Sequence, residues 1–385
     1  MSDNGTGSSL RVEPVVDEAG LEAFLALPGR LRSAAERRLD VPVLRPTIKR
    51  WYAARGAHAR YGPVRLVLVR DGAGEVVGRS CLHHSPKLDA RLGADAQLFG
   101  LTEFADRAAL GALAAYLESE ARRAGRTRLV GPVALLPNQT GGVVTSGHDE
   151  RGFVDSPWSP AHYPGDYEAL GFQRLWEGQT WICEGLGRLD AEQVFPGDPA
   201  DAARMAAEGL QLHRGSRRRL GAQLPILRSM LNAAFAQLPY YTPIDADELA
   251  DQTDGLAWLL DERLLLWLTR GGEPVAFVLA VPDISEFVVA HEGRMGMGEQ
   301  LRLLATRGRY RREAILVIKG TVPQAQGHGY LTILSRELLR GLQAGGYTTL
   351  RSTFVGLDNP ASEAQYRRMG GRPLHGTTFY SKEIR

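Results

Sequence analysis

Cysteine, lysine and long apolar runs are all scarce in this chain of 385 residues. The two cysteines, Cys81 and Cys183, stand in separate strand-like runs. So sparse a pair excludes a disulfide framework and fits a reducing compartment. Lysine occurs only at Lys49, Lys87, Lys319 and Lys382, so the basic charge is carried almost wholly by arginine. No apolar stretch approaches the roughly 20 residues that cross a bilayer, and the polar start Ser2 to Ser9 has no apolar signal core. The sequence reads as cytoplasmic and without a membrane partner, and residues 1–10 are expected to lack fixed structure. A dominant charge of one sign is also missing. The net charge of +2 excludes a strong global field for nucleic acid. What remains is ordinary globular material, 44% hydrophobic and 23% charged, of a length that suggests two domains.

The most informative stretch runs from Ala314 to Arg340. Ala314-Ile-Leu-Val-Ile is a branched apolar run, as a buried strand should be, and Pro323 ends it for want of an N–H. Leu331, Ile333, Leu334, Leu338 and Leu339 then mark one broad apolar face of a helix. Between them lie Val322, Gln324, Gln326, Gly327, His328, Gly329 and Tyr330. Glycines here let the backbone turn sharply and approach a ligand. The first amides of the helix lack partners within it, and with the helix dipole they suit an anion such as a pyrophosphate.

The same order of elements occurs earlier. Val64 to Arg70 and Val76 to Leu82 read as a hairpin around Asp71-Gly-Ala-Gly. Ala96 to Glu103 is a strand, Ala108 to Ala124 a helix and Thr127 to Val133 the next strand, so the crossover implies a parallel pair. Before them, Leu10 to Val16 reads as a strand and Asp17 as the cap of a helix reaching about Leu27. No Gly-x-Gly follows Glu103, which is either a base at a strand end or a solvated cap. The segment from Pro132 to Pro164 is long for a loop, a length that is often functional. It carries Asn138, His162 and Tyr163, the best candidates in it for lining a substrate. In the later half, Leu264 to Thr269 and Pro274 to Val281 form a second hairpin, closed by Pro282-Asp283-Ile284.

Gln324-x-x-Gly327-x-Gly329 after Val-Pro resembles the acetyl-CoA loop of the GNAT acyltransferase superfamily. Asn359-Pro-Ala361-x-x-Ala364-x-Tyr366-x-x-Met369-Gly370-Gly371 resembles that superfamily's later signature. With Gly131-Pro-Val, Asn138, Tyr163-Pro164, Gly171-Phe172 and Tyr240-Tyr-Thr-Pro243, the chain resembles a bacterial family of tandem acyltransferase-fold proteins. The resemblance spans about residues 64–184 and 225–384. It implies an α/β fold with mixed sheets in two GNAT-like domains. These would be a degenerate one over 11–185, a linker at 186–201, and a second over 202–385 that holds the acyl-CoA loop.

The activity so implied is transfer of an acyl group, acetyl or another, from acyl-CoA to the amine of a small molecule. Val322, Gln324, Gln326, Gly327, His328, Gly329, Tyr330 and Asn359 would hold the CoA, and no metal is implied. Tyr366 would be the acid. No one base stands out: Asp358, Glu103, Asp283 and His375 are candidates, His375 otherwise reading as a surface residue, and a water chain would also serve. Asn138, Tyr163, Asp283 and Arg351 would line the acceptor. Two departures stand out. Arg351 replaces a family carboxylate, and Lys319 stands where small or apolar residues are usual. Arg351 either reads an anionic acceptor or pairs with a surface acid, Asp358 or Glu363.

Two other readings share the scaffold. One is an aminoacyl-tRNA-dependent transferase, with Arg217 to Arg219 and the arginines from Arg307 to Arg312 tracking tRNA phosphates. The other is a non-catalytic CoA-binding module.

Overall fold

The computed structural model describes residues 10–135, 140–197 and 201–384, with the side chains of 201, 202 and 204 excepted. Asn138 and residues 1–9 lie outside the described residues. The chain divides into two compact units. The first takes residues up to Glu177, Glu292–Arg294 and Thr377 onward; the second takes Gly178–His291 and Met295–Gly376. The division therefore falls within a strand. The segment expected as a linker instead supplies Leu186, Ala191 and Phe195 to the core of the second unit.

The strands of the first unit are β1 (Arg11–Pro14), β2 (Arg65–Arg70), β3 (Val76–His83), β4 (Ala96–Phe104), β5 (Arg128–Gly131) and β6 (Val143–Ser146), with the start of β7 (Gln173–Glu184). The chain's last residues return to it, Tyr380 to Glu383 lying antiparallel to β5. β2 and β3 form the expected hairpin. β4 and β5 are parallel, as the helix Arg107–Arg123 between them requires. Both faces of the sheet are covered. Val67 and Val69 pack with that helix, while Leu66 and Leu68 pack with the helix Glu18–Leu31. Asp17 caps this second helix through Gly20 N at 2.7 Å. It runs past Leu27, where the sequence suggested an end, because Pro28 is tolerated within it and Arg32 N still bonds Pro28 O. Within the segment read as a long loop, Val143–Ser146 is strand.

The second unit repeats the pattern in β8 (Leu210–Arg214), β9 (Leu265–Arg270), β10 (Glu273–Pro282), β11 (Glu313–Thr321), β12 (Thr349–Ser352) and β13 (Val355–Gly356), with the rest of β7 and the first part of β14 (Arg372–Glu383). Its strand order is β8-β9-β10-β11-β12-β7. β11 and β12 are parallel across the helix Tyr330–Ala344. Ile333, Leu334, Leu338, Leu339 and Leu342 of that helix pack on Val278, Leu316 and Leu350. Each such leucine, fully buried, contributes roughly 1.5–3 kcal/mol. The helix Leu220–Phe235 covers the other face at Trp267, Phe277 and Leu279.

One irregularity positions the site. Ala280 opposes Leu316 and Leu279 opposes Ile318, so Val317 is an extra residue in β11. Such a bulge bends a strand and ends its regular pairing. The β11–β12 ladder accordingly stops at Leu316 and Ser352. Thr353 closes that end, its N bonding Leu316 O at 3.2 Å and its Oγ1 bonding Val317 O at 2.9 Å.

Candidate functional site

Beyond the bulge, β11 leads into the glycine loop. Pro323 to Ala325 makes one tight turn, with Ala325 N on Val322 O at 2.9 Å and Ala325 buried beneath it. Gly327 and Gly329 then take φ values of 81° and 74°, a left-handed conformation that side chains with a β-carbon resist. A β-carbon at Gly327 would meet nothing within 4 Å, so open space lies against this backbone. The first amide of the helix to find a backbone acceptor is Thr332, on Gly329 O at 2.9 Å. Among the described residues, the amides from Gly327 to Leu331 make no backbone hydrogen bond. Five consecutive unpaired donors at the start of a 15-residue helix fit a pyrophosphate. Gln324, Gln326 and His328 are exposed around them. Tyr330 differs. Its side chain is buried, its hydroxyl donates to Glu208 and accepts from Arg270 at 3.4 Å, so only its main chain faces the loop.

On the same face of the sheet, Tyr366 projects from the helix Pro360–Arg368. Its ring stacks on Trp181, with centroids 5.9 Å apart, and the Lys319 ammonium lies 4.3 Å from its centre. Burial raises the Tyr366 hydroxyl above its ordinary value, against a hydrogen bond from Ser352 that acts the other way. Lys319 donates to Gln365 Oε1 at 2.5 Å. No carboxylate pairs with it among the described residues, and desolvation lowers its pKa to about 7. Lys319, Gln365 and Tyr366 line the polar side of a small cavity whose other walls include Leu316, Leu338 and Leu350. Cys183 is next to them, its Sγ 3.7 Å from Tyr366 O, but burial pushes its thiol up to about 12 and leaves it inert. The sequence pointed to Tyr366 and marked Lys319 as unusual. It carried no sign that the two touch.

Asp358 and Asn359 are exposed at the start of the Tyr366 helix. Asn359 is its cap, accepting from Ser362 N at 3.1 Å. Asp358 is near Tyr240, whose hydroxyl is pushed up to about 12 by burial first and then by that carboxylate.

Arg351 and Asp283 come together, with each other. Arg351 Nη1 lies 3.1 Å from Asp283 Oδ2 and 2.6 Å from Glu313 Oε2, and Arg351 is buried. Its partners are therefore neither of the surface acids, Asp358 or Glu363, that the sequence offered. Asp283 also accepts from Ser285 N at 2.8 Å and from the Ser285 hydroxyl. Because strand residues alternate, Arg351 points away from the face on which Leu350 packs under the Tyr330 helix. His375 is buried rather than at the surface, and its N donates to Thr180 Oγ1 at 3.2 Å.

Glu103 and Tyr163 both belong to the first unit, where they meet. The Tyr163 hydroxyl donates to Glu103 Oε2 at 2.9 Å and accepts from Phe104 N at 3.0 Å. Arg32 reaches the same Glu103 oxygen at 2.5 Å, and Arg79 lies 4.0 Å from the other. Asp40 joins through Arg32 at 3.3 Å, its pKa raised to about 6 chiefly by burial. Glu103 is thus one member of a buried, charge-balanced cluster.

No family model matches the chain. Protein YghO of Escherichia coli is 23% identical over 327 residues, covering 81% of this chain and 80% of that protein. A bacterial ceramide synthase of Caulobacter vibrioides is 24% identical over 401 residues, covering 100% of both. Among solved structures, a tandem GNAT protein from the clavulanic acid biosynthesis pathway superposes with a TM-score of 0.57 at 16% identity, covering 98% of this chain and 99% of that one. At such identity the likeness is one of fold.

Proposed function

We propose that this chain, a tandem GNAT-fold protein, is an acyl-CoA-dependent N-acyltransferase whose reacting groups lie in the second unit. The observation that carries the reading is the run of unpaired amides from Gly327 to Leu331, set just beyond a bulged strand that brings Lys319 against Tyr366. The loop amides would hold the pyrophosphate of the donor, which supplies an activated thioester. The acceptor amine then forms the new C–N bond as the C–S bond breaks. Lys319, largely neutral just above pH 7, takes the proton from the amine. Tyr366, kept protonated by burial, gives its proton to the departing sulfur. The products are an amide and free CoA.

The acceptor class finds support in a relative. A ceramide is the fatty-acyl amide of a long-chain amino alcohol, and the ceramide synthase aligns over its full length. We therefore favour a lipid amine over a small polar one. Calorimetry with acetyl-CoA, with long-chain acyl-CoAs and with bulk tRNA, followed by product analysis with a long-chain amino alcohol, tests the reading. Binding of tRNA without any acyl-CoA would replace it by the aminoacyl-transfer reading. Binding of CoA with no transfer to any amine would leave a binding module.

A further inference from the structure

The helix Met297–Thr306 is short of partners on one side. Met297 is 84% exposed and Leu301 67% exposed. With half-buried Leu304 they follow one another at helical spacing, so they form one apolar stripe. Leu303 is buried and fastens the opposite side to the protein. Immediately beyond come Arg307, Arg309, Arg311 and Arg312, with Arg302 on the helix itself. No acid occurs between Leu301 and Arg312. Arg302, Arg307, Arg309 and Arg312 are exposed, and none of the five arginines makes an ion pair among the described residues. The one acid of the helix, Glu299, sits in its first turn, where the dipole favours it.

Exposed apolar side chains and unpaired cations answer to different parts of one partner. We infer that this surface docks on an anionic phospholipid membrane, with Met297 and Leu301 entering the headgroup boundary and the arginines meeting lipid phosphates. Interfacial helices combine these two features. They lie on the bilayer and do not cross it, so it is no obstacle that no helix among the described residues is long and apolar enough to cross a membrane. A nucleic acid would also satisfy the arginines. It could bury an exposed methionine and leucine only by unstacking bases, whereas the headgroup boundary takes them at no such cost, which is why lipid is the better occupant. The inference does not depend on the acyl-transfer reading, because membrane binding is measured without turnover.

The test is flotation of the full-length protein with phosphatidylcholine vesicles, with and without phosphatidylglycerol, beside filter binding of bulk tRNA. Wild type should float only with the anionic vesicles. Met297→Glu/Leu301→Glu should bind them about tenfold less or worse at any salt, since it removes apolar burial. Arg307→Glu/Arg309→Glu should lose binding most strongly at low salt, where unscreened charge matters. All four positions are exposed, so both variants should melt with wild type. Wild type that stays with the unbound fraction for every vesicle overturns the inference. So do variants that float as wild type does, and so does tRNA binding that depends on Arg307 and Arg309 in a protein that ignores vesicles.

Discussion

The Lys319 ammonium stands 4.3 Å from the centre of the Tyr366 ring, with Gln365 as its hydrogen-bond acceptor and, among the described residues, no carboxylate paired with it. A cation in this setting is held by the ring's negative face and one neutral amide oxygen, and burial lowers its pKa to about 7. If Lys319 accepts the amine's proton, activity should rise as pH passes through about 7 and then level off, because only the neutral form is a base. Lys319→Met should lose that limb, with a fall on the order of a hundredfold or more. Lys319→Arg should do no better, since arginine does not deprotonate. A pH–rate profile of Lys319→Met that keeps the limb near 7 would remove Lys319 from the mechanism.

The same residue predicts a stability effect of definite sign. The unfolded pKa is about 10.4 and the folded value lies below it. Between the two, the unfolded chain binds more protons, so stability rises with pH from about 7 to about 10. Below that window the cost of the buried ammonium is felt in full. Lys319→Met should therefore melt higher than wild type at pH 6–7, and the gap should close towards pH 10. A gap that is constant across the range would show that Lys319 is not desolvated in the folded protein.

Tyr366→Phe isolates the hydroxyl. The ring would keep its stacking on Trp181 and its contact with Lys319, so the melting temperature should change little. If it is the acid for the departing sulfur, the hydroxyl should matter to kcat, by about a hundredfold or more, and little to KM. An effect confined to KM would mean that Tyr366 only shapes the site.

Replacing Gly329 by valine tests the loop. The left-handed backbone at this position is strained for a β-branched residue, and any shift of the loop turns the first amides away from an anion. Calorimetric CoA binding should be lost while the fold survives, because the loop is exposed. Unchanged affinity would show that the anion binds elsewhere.

Much of this was legible because it is local. Glycine spacing, a proline at a strand end and an apolar helical face lie within a few residues of one another, and the loop and both crossovers follow from them. The role of Arg351 was not legible. Its partners lie 38 and 68 residues away along the chain, and only the sheet brings them together. Glu103 and Tyr163 are 60 apart and were assigned separate tasks; the structure joins them by one hydrogen bond. Lys319 could be noticed as a rare lysine in an apolar strand, but its meaning depends on a helix 46 residues further on.

Arg351 therefore gives the sharpest contrast between the two ideas about it. It is buried against Asp283, whose side chain is almost without exposure, and it also reaches the partly exposed Glu313. Removing the guanidinium takes the counter-charge from a buried carboxylate, at a cost of about 3–5 kcal/mol. Arg351→Met should lose stability of that order in chemical denaturation, and Arg351→Lys somewhat less, because a single ammonium replaces a planar fork poorly. Pairing Arg351→Met with Asp283→Asn should recover part of the loss, since the main orphaned charge is then gone. An arginine that reads an acceptor predicts otherwise. Stability would be nearly unchanged, and Arg351→Glu would lose activity on anionic amines while sparing neutral ones. The two outcomes separate in one set of proteins. Denaturation midpoints that move together with equal losses on every amine assign Arg351 to the scaffold, and unmoved midpoints with selective loss assign it to the acceptor.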